Sequence, residues 1–405
     1  MPFLVPPESI DSESLILVLA FGTPSLLEAQ CVFGESARVS MHCEDVAVAD
    51  LKQGGGGGFK ELAELAGVHK VALPLPQIDS PEFPDAIAFP ERNFNFSLSR
   101  YCPRSDDQDP ASEYEELSEK LLLTMRGAGL RKANLIRSRS GPELHSGRVL
   151  SRSAMDFVAF PLGASFQWGV TVYIPETERF KERSTEKPFV TSGLSLSSRF
   201  ARLLVNIAGV SEGKVLLDPF CGSGTILGEA LLKGADCIGI DRNHGRVEQT
   251  KKNLAWVLSR ERPGARRRAP SYSVISGDAT NLRKSLGEQT VVVDAIVSEP
   301  ILMPRLSSAP TLEKARNLIR HASRTYSEAL HEMSGVLRRG GRLVLVVPSL
   351  RTREGRDVSL SFENLEEIGL RPLQPPGAAP YEYPLEASHQ STRWIRRAIY
   401  ALERV

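Results

Sequence analysis

The sequence predicts an α/β protein: a C-terminal half built on an open, mostly parallel sheet covered by helices, preceded by an α+β region. Three observations carry this expectation. From Lys214 to Ser349, apolar strand-length runs alternate regularly with helix-length segments, the pattern of a parallel sheet buried on both faces. Upstream, strands and helices follow one another without that regularity. The chain also has 405 residues, more than one core usually organises, which suggests two or three domains. The change of pattern puts the boundary between residues 175 and 176.

In the N-terminal region, LILVLAF (residues 15–21) reads as a buried strand, far below the ~20 apolar residues of a membrane span. SLLEAQCVFG follows as a helix. QGGGGGF lacks the Lys-Ser/Thr of a phosphate loop and reads as a flexible insertion around Gly54 to Gly58. FKELAELAGVHKVALPL is a helix closed by Gly67 and then a strand. NFNFSLSRY alternates apolar and polar residues as a half-buried strand does. The acidic stretch from Ser105 to Glu119, with Pro110, reads as a loop leading into a helix. EKLLLTMRGAGLRKANLIRS gives a helix, a glycine break and a strand. FQWGVTVYI is a further strand, and the charged PETERFKERSTEKP reads as a linker.

Beyond it the alternation is regular. KVLLDPF is a strand, SGTILGEALLKG a helix, ADCIGID a strand and HGRVEQTKKNLAWVLS a helix. SYSVISGD is a strand before a short helix, and VVVDAIVSEP is the next strand. Leu312 to Leu337 form a long helix, and GRLVLVVPS a strand.

The strongest chemical signal is LLDPFCGSGTILGEAL. It places Asp218, Phe220, Gly222 and Gly224 where a strand turns into a helix, and open α/β sheets bind ligands at the carboxyl ends of their strands. Glycines there let the backbone approach a ligand and take positive φ. A dinucleotide site is the rival, but the third glycine of GxGxxG is missing. Asp218 is suited to a cationic amino group, which a pyrophosphate does not offer. At the next strand end, Asp241 is placed to accept from ribose hydroxyls. At the third, Asp278, with Ala279 beside it, is placed for an adenine amine. Each acid alone reads equally well as a helix cap; three at successive strand ends favour a ligand.

Together these residues describe an S-adenosylmethionine site, and this half resembles class I (Rossmann-like) methyltransferases. More narrowly, DPFCGSGTILGEALLKGADCIGIDRN, the upstream SGLSLSSRFARLLVNIAG, NLAW, and STRWIRRAIYAL near the end resemble the enzymes that methylate the N2 amine of tRNA guanine, the archaeal and eukaryotic guanine-10 group above all. The likeness runs from about Pro188 to Leu402. It implies a seven-stranded, mostly parallel sheet over residues 176–405, S-adenosylmethionine as cofactor and tRNA as partner. A small activating protein subunit is a further partner of such enzymes. Residues 1–175 are similar, more loosely, to the RNA-binding THUMP region that precedes the catalytic domain in that family, in two α+β lobes.

The fourth strand of that family ends in Asp-Pro-Pro-Tyr, which holds the amine and stacks on the base. Here Ser298, Glu299, Pro300 and Ile301 stand in those places. Ser298 or Glu299 is the candidate amine acceptor, Ile301 offers no aromatic face, and the next aromatic residue is Tyr326. The altered turn leaves three readings: a working variant, a different substrate, or a domain that binds RNA and cofactor without catalysis. A DNA base amino-methyltransferase is a rival, against which the THUMP-like region counts.

Formal net charge is +1, so any nucleic-acid site is local rather than a global basic field. From Lys120 to Arg152 the charges are mostly positive. Lys120, Arg131, Lys132, Arg137 and Arg139 are the candidate RNA contacts, positioning phosphates without reading bases; a solvated face is the plain alternative. RERPGARRR, at the opposite edge of the sheet, reads as a solvated loop. Arg393, Arg396 and Arg397 read as either phosphate contacts or a solvated edge. The five cysteines are odd in number and lack CxxC spacing, which argues against disulfides and structural zinc and for a reducing cytoplasm. Cys221, with no base near it in sequence, reads as a packing residue. The seven histidines show no metal spacing. The N-terminus shows no signal-peptide pattern.

Overall fold

The structure is a computed structural model. It describes residues 13–52, 58–80, 82–86, 93–102, 110–130, 132–136, 155–190, 196–260, 268–287, 291–300, 303, 306–387 and 394–405. The chain divides into two compact units.

The first unit comprises residues 1–20, 35–63 and 68–176. Its strands are β1 (Ser14–Leu19), β2 (Ala37–Cys43), β3 (Val46–Leu51), β4 (Val68–Leu75), β5 (Asn93–Arg100), β6 (Lys132–Leu135), β7 (Met155–Leu162) and β8 (Ser165–Tyr173). They form one eight-stranded sheet in the order β2-β3-β1-β4-β8-β7-β5-β6. β5 pairs parallel with β6 and β7, and the other pairings are antiparallel. Leu117, Leu121 and Met125 of a helix at Pro110–Gly127 pack with Phe96, Phe157 and Trp168. That helix starts at Pro110 rather than after it, as a loop would require; the first turn is where a helix tolerates proline. The β2–β3 hairpin was not legible because only Ala37 and Val39 of β2 are buried.

Cys43 and Cys102 form a disulfide here, with Cα atoms 6.1 Å apart. This corrects the expectation of unpaired cysteines. The two lie 59 residues apart and meet where both pack against one apolar cluster that includes Val18, Tyr101 and Phe160, which spacing rules cannot register.

The second unit comprises residues 21–34, 64–67 and 177–405. The expected boundary assigned 21–34 and 64–67 to the N-terminal region; the structure assigns them to the second unit. The reason is packing. Helix α1 (Thr23–Phe33) lies against a helix at Ser198–Ile207. Buried Glu28 of α1 accepts from the amides of Ala66 and Gly67 and from Asn206 Nδ2, at 2.6–2.9 Å.

In chain order the remaining helices are α2 (Gly58–Glu64), α3 (Glu82–Asp85), α4 (Pro110–Gly127), α5 (Thr177–Thr185), α6 (Ser198–Ile207), α7 (Thr225–Leu232), α8 (His244–Arg260), α9 (Leu282–Ser285) and α10 (Leu312–Val336). α5 stands where a linker was expected. It buries no residue, so it has no apolar period to read. It is tied down by Arg183, which donates to both carboxylate oxygens of Glu229 on α7, at 2.7 and 3.2 Å.

The strands of this unit are β9 (Val215–Asp218), β10 (Asp236–Asp241), β11 (Tyr272–Ser276), β12 (Val293–Ser298), β13 (Leu337–Arg351), β14 (Asp357–Ser359), β15 (Leu370–Pro372), β16 (Leu385–Glu386) and β17 (Ile395–Arg404). Seven run in the order β11-β10-β9-β12-β13-β17-β15, with β14 and β16 attached to β13 and β17. β9 to β13 pair parallel, and β17 enters antiparallel between β13 and β15. The carboxyl ends of β9, β10, β11 and β12 therefore share one edge, where the sequence places its acids.

Candidate active site

Asp218 ends β9 and is 1% exposed. Its Oδ1 accepts from the Phe220 amide at 3.1 Å and from the Ser298 hydroxyl at 2.6 Å. Burial pushes this carboxyl up from 3.8 to about 7; the nearby Asp241 and Glu299 add to the rise, and the two hydrogen bonds oppose it. A buried carboxyl without a cation beside it behaves this way.

The loop after β9 is held from behind. Gly222 and Gly224 have φ of +52° and +74°. A Cβ on Gly224 would lie 2.7 Å from Thr250 Cγ2, so the position needs glycine for both conformation and space. Thr250 Oγ1 donates to the Gly222 carbonyl at 2.5 Å. Asn253, in the NLAW stretch, donates to the Ser223 and Phe189 carbonyls, at 2.9 Å each. Buried Lys187 donates to Thr225 Oγ1 at 2.6 Å and Ser223 Oγ at 3.1 Å. Desolvation lowers its pKa to about 8, with Glu229 opposing. Cys221 packs against Gly239, where a Cβ would come within 3.2 Å of its sulfur; burial pushes its thiol up, as expected of a packing residue.

Asp241 accepts from Gly222 N at 3.2 Å and Asn243 N at 2.8 Å, one bond to each oxygen. A carboxylate oxygen has room for a second donor, which leaves capacity for ribose hydroxyls. Asp278 accepts from the Thr280 amide and hydroxyl through Oδ1, both at 2.9 Å. It thus fills the capping role anticipated as its plain reading, and still faces the cavity.

These strand ends surround one cavity of about 730 Å³. Its wall includes Asp218, Phe220, Gly222, Asp241, Asp278 and Ala279 from the expected cofactor set; Gly224 is not on it. Of the turn, Glu299 and Pro300 line it. Ser298 is fully buried behind the wall, bonded to Asp218. Ile301 lies outside the described residues, as do Arg131, Arg137, Arg139, Arg393 and most of the Arg260–Arg268 loop. Lys120 is described, on the surface, donating to Asp79 at 3.2 Å. Lys132 begins β6.

Sequence reasoning missed one wall. Leu318, His321, Ala322, Thr325 and Tyr326 of α10 face the cavity, at the i, i+3, i+4, i+7, i+8 spacing of a single helix face. That spacing is visible in the sequence, but the face mixes apolar and polar residues and reads as ordinary surface. It also missed Arg397. From β17 this residue donates Nε to Glu299 Oε1 at 2.5 Å, with both side chains about one-eighth exposed. Arg396 pairs instead with Asp357 and Glu386. Neither the phosphate role nor the solvated edge describes Arg397. Burial raises the Glu299 carboxyl, with Arg397 opposing. Among the described residues no His/Cys/Asp/Glu cluster suits a metal, and no helix is long and apolar enough to cross a membrane.

The donor set suits a ligand with a cationic end, a hydroxylated ring and an amine-bearing ring, laid across three strand ends. Residues 188–356 match the family model described as UPF0020, the RMKL-like methyltransferase domain. The chain is 36% identical over 173 residues to the tRNA (guanine(10)-N2)-dimethyltransferase of Methanothermobacter thermautotrophicus, covering 42% of this chain and 44% of that one. It is 30% identical over 172 residues to the enzyme of the same name from Pyrococcus abyssi, again covering 42% and 44%. The chain thus spans less than half the length of these relatives. Two solved structures share its fold along nearly all of it. TrmN from Thermus thermophilus has a TM-score of 0.50 at 16% identity and covers 97% of this chain and 100% of its own. The "possible methylase" from Clostridium difficile 630 has a TM-score of 0.52 at 12% identity, with 98% and 99% covered. The resemblance read from the motifs is borne out for the C-terminal part, and the fold is that of class I methyltransferases. The THUMP likeness stays a reading of the sequence.

Proposed function

We propose that this chain is an S-adenosylmethionine-dependent RNA methyltransferase acting on the exocyclic N2 amine of a guanine in tRNA. One observation carries the reading: the acids that end β9, β10 and β11 and the turn that ends β12 line a single cavity, large enough for a nucleoside cofactor with an acceptor base beside it. The names of the relatives, over the part they cover, supply the tRNA guanine.

When bound, the cofactor supplies an electrophilic methyl group on sulfur. The chain's own residues do the rest. Asp218 meets the cationic amino end, and such a contact draws its raised pKa down. Asp241 accepts from ribose hydroxyls, and Asp278 with Ala279 holds the adenine edge. Phe220, Gly222 and Gly224 shape the loop. Glu299 and Pro300 face the acceptor amine. Holding a weak nucleophile in line in this way can supply several kcal/mol. Residues 1–175 bind the RNA by shape and phosphate contact, through Lys120, Arg131, Lys132, Arg137 and Arg139. The reading includes a cytoplasmic location and a small activating subunit.

The test is tritium transfer from labelled S-adenosylmethionine to unmodified bulk tRNA, with duplex DNA as control. Label recovered as N2-methylguanosine is expected. Label in DNA would replace the reading with a DNA amino-methyltransferase. Cofactor binding by calorimetry without label in any nucleic acid, with or without cell extract, would replace it with a non-catalytic RNA-binding protein.

A further inference from the structure

Tyr326 lines the cavity from α10 and is 3% exposed. Its hydroxyl has no hydrogen-bond partner among the described residues. A buried hydroxyl left unpaired is costly and rare in native proteins, and this one sits in the wall of a cavity proposed to take a base. Glu299 lines the same cavity and carries its carboxylate in an ion pair with Arg397 at 2.5 Å. The two are near enough for the Glu299 charge to raise the Tyr326 phenol further above the range that burial already gives it. The hydroxyl therefore stays neutral and can donate. A fixed carboxylate and a fixed neutral donor thus face the same space, beyond the cofactor acids.

Base edges differ in what they offer such a pair. Guanine presents two adjacent donors, N1–H and N2–H, matched to the two oxygens of a carboxylate, with an acceptor, N3, next to them. Adenine and cytosine each offer one donor beside an acceptor. A carboxylate facing a ring acceptor is repelled, so the geometry both attracts one base and rejects the others.

Resting on the reading of the site as a base methyltransferase, we propose that Glu299, positioned by Arg397, and Tyr326 form the subsite that reads the acceptor base and selects one with two adjacent N–H donors. Tyr326 replaces, from a helix, a polar and aromatic group that the β12 turn lacks. Arg397 is a positioning residue: it keeps the carboxylate ionised and aimed.

The experiment uses the full chain and the variants Tyr326→Phe, Glu299→Gln and Arg397→Lys. Calorimetry with S-adenosylmethionine should give affinities within about twofold of wild type. Single-turnover transfer to unmodified tRNA should fall on the order of tenfold or more in Tyr326→Phe and Glu299→Gln, the loss typical of one hydrogen bond to a charged or buried partner. The thermal midpoint of Tyr326→Phe should be unchanged or raised, since an unpaired hydroxyl is removed. Arg397→Lys should lower transfer in the same direction, and wild-type transfer rates in all three variants would overturn the proposal.

A second measurement does not depend on turnover. Saturation-transfer NMR of the protein loaded with S-adenosylhomocysteine should show guanosine monophosphate in contact more than inosine or adenosine monophosphate. Glu299→Gln should abolish that preference. If wild type methylates no tRNA, the functional reading fails. The nucleotide preference then decides the subsite alone: its loss in Glu299→Gln sustains it, and equal signals for the three nucleotides overturn it.

Discussion

Replacing Asp218 with Asn removes one ionisable group and almost nothing else. The side chain keeps its shape, and its Oδ1 still accepts from Ser298 and the Phe220 amide. The folded carboxyl has its pKa raised from 3.8 to about 7. Between those values the folded state holds a proton that the unfolded state has released. The carboxyl's contribution is therefore most favourable at acid pH and is lost as pH rises through the interval to about 7. Ionisation favours the unfolded chain by roughly 1.5 kcal/mol at pH 5 and about 4 kcal/mol at pH 8. Wild type should thus lose about 2.5 kcal/mol relative to Asp218→Asn over that span. The new amide hydrogens cost on the order of 1–3 kcal/mol at every pH, and so shift the comparison without tilting it. Urea unfolding of both proteins from pH 5 to 8, following the transition that the substitution moves, measures the slope. Calorimetry in the same buffers measures cofactor affinity, which should strengthen with pH through about 7 in wild type and be weaker and flat in the variant. Parallel stability curves, with equal pH dependence of binding, would refute the assignment of a buried, cation-seeking carboxyl at this strand end.

Gly224→Ala should destabilise the second unit by about 1–3 kcal/mol, the usual cost of forcing a side chain into this conformation, and should weaken cofactor binding; thermal melts and calorimetry report both. Lys187→Met should weaken cofactor binding although Lys187 is not on the cavity wall, because Ser223 and Thr225, which are, lose their donor. Its folded pKa of about 8 against 10.5 unfolded makes wild type gain stability as pH rises from 8 to 10.5, and the variant should lack that gain. Thiol titration in denaturant without reductant should find three thiols, those of Cys31, Cys221 and Cys237. Five would refute the Cys43–Cys102 pairing.

The second unit was largely legible because its signals are local. Each strand of the parallel sheet announces itself as an apolar run, and each acid follows at its end, so Asp218, Asp241 and Asp278 could be placed together without coordinates. The losses share one cause. Tyr326 reaches the cavity, and Arg397 reaches Glu299, only through tertiary folding, Arg397 from 98 residues further along the chain. α5 and β2 have too few buried residues to leave a periodic trace. α1 was read correctly as a helix but placed on the wrong side of the boundary. Its partners, Asn206 and the amides at 66 and 67, are chosen by a buried carboxylate and not by sequence proximity.

The same geometry accounts for a serine at 298 and an acid at 299 in the turn after β12. β9 and β12 are parallel neighbours, and at their carboxyl ends the Ser298 hydroxyl binds Asp218 at 2.6 Å. An acid at 298 would set two carboxylates together in a buried site where one already resists ionising, and such pairs cannot both ionise. Serine instead donates a hydrogen bond to Asp218. The alternation of strand side chains carries the next position to the cavity, where Glu299 has Arg397 to hold it. On this view Ser298→Asp damages the protein. Cofactor affinity at pH 8 should fall at least about tenfold and the thermal midpoint should drop, because one of two adjacent carboxyls must stay protonated. Both losses should shrink at pH 6, where a shared proton is cheaper. Wild-type affinity in Ser298→Asp at pH 8 would mean that the acid at 298 does not face Asp218, and that Glu299 has not taken its place.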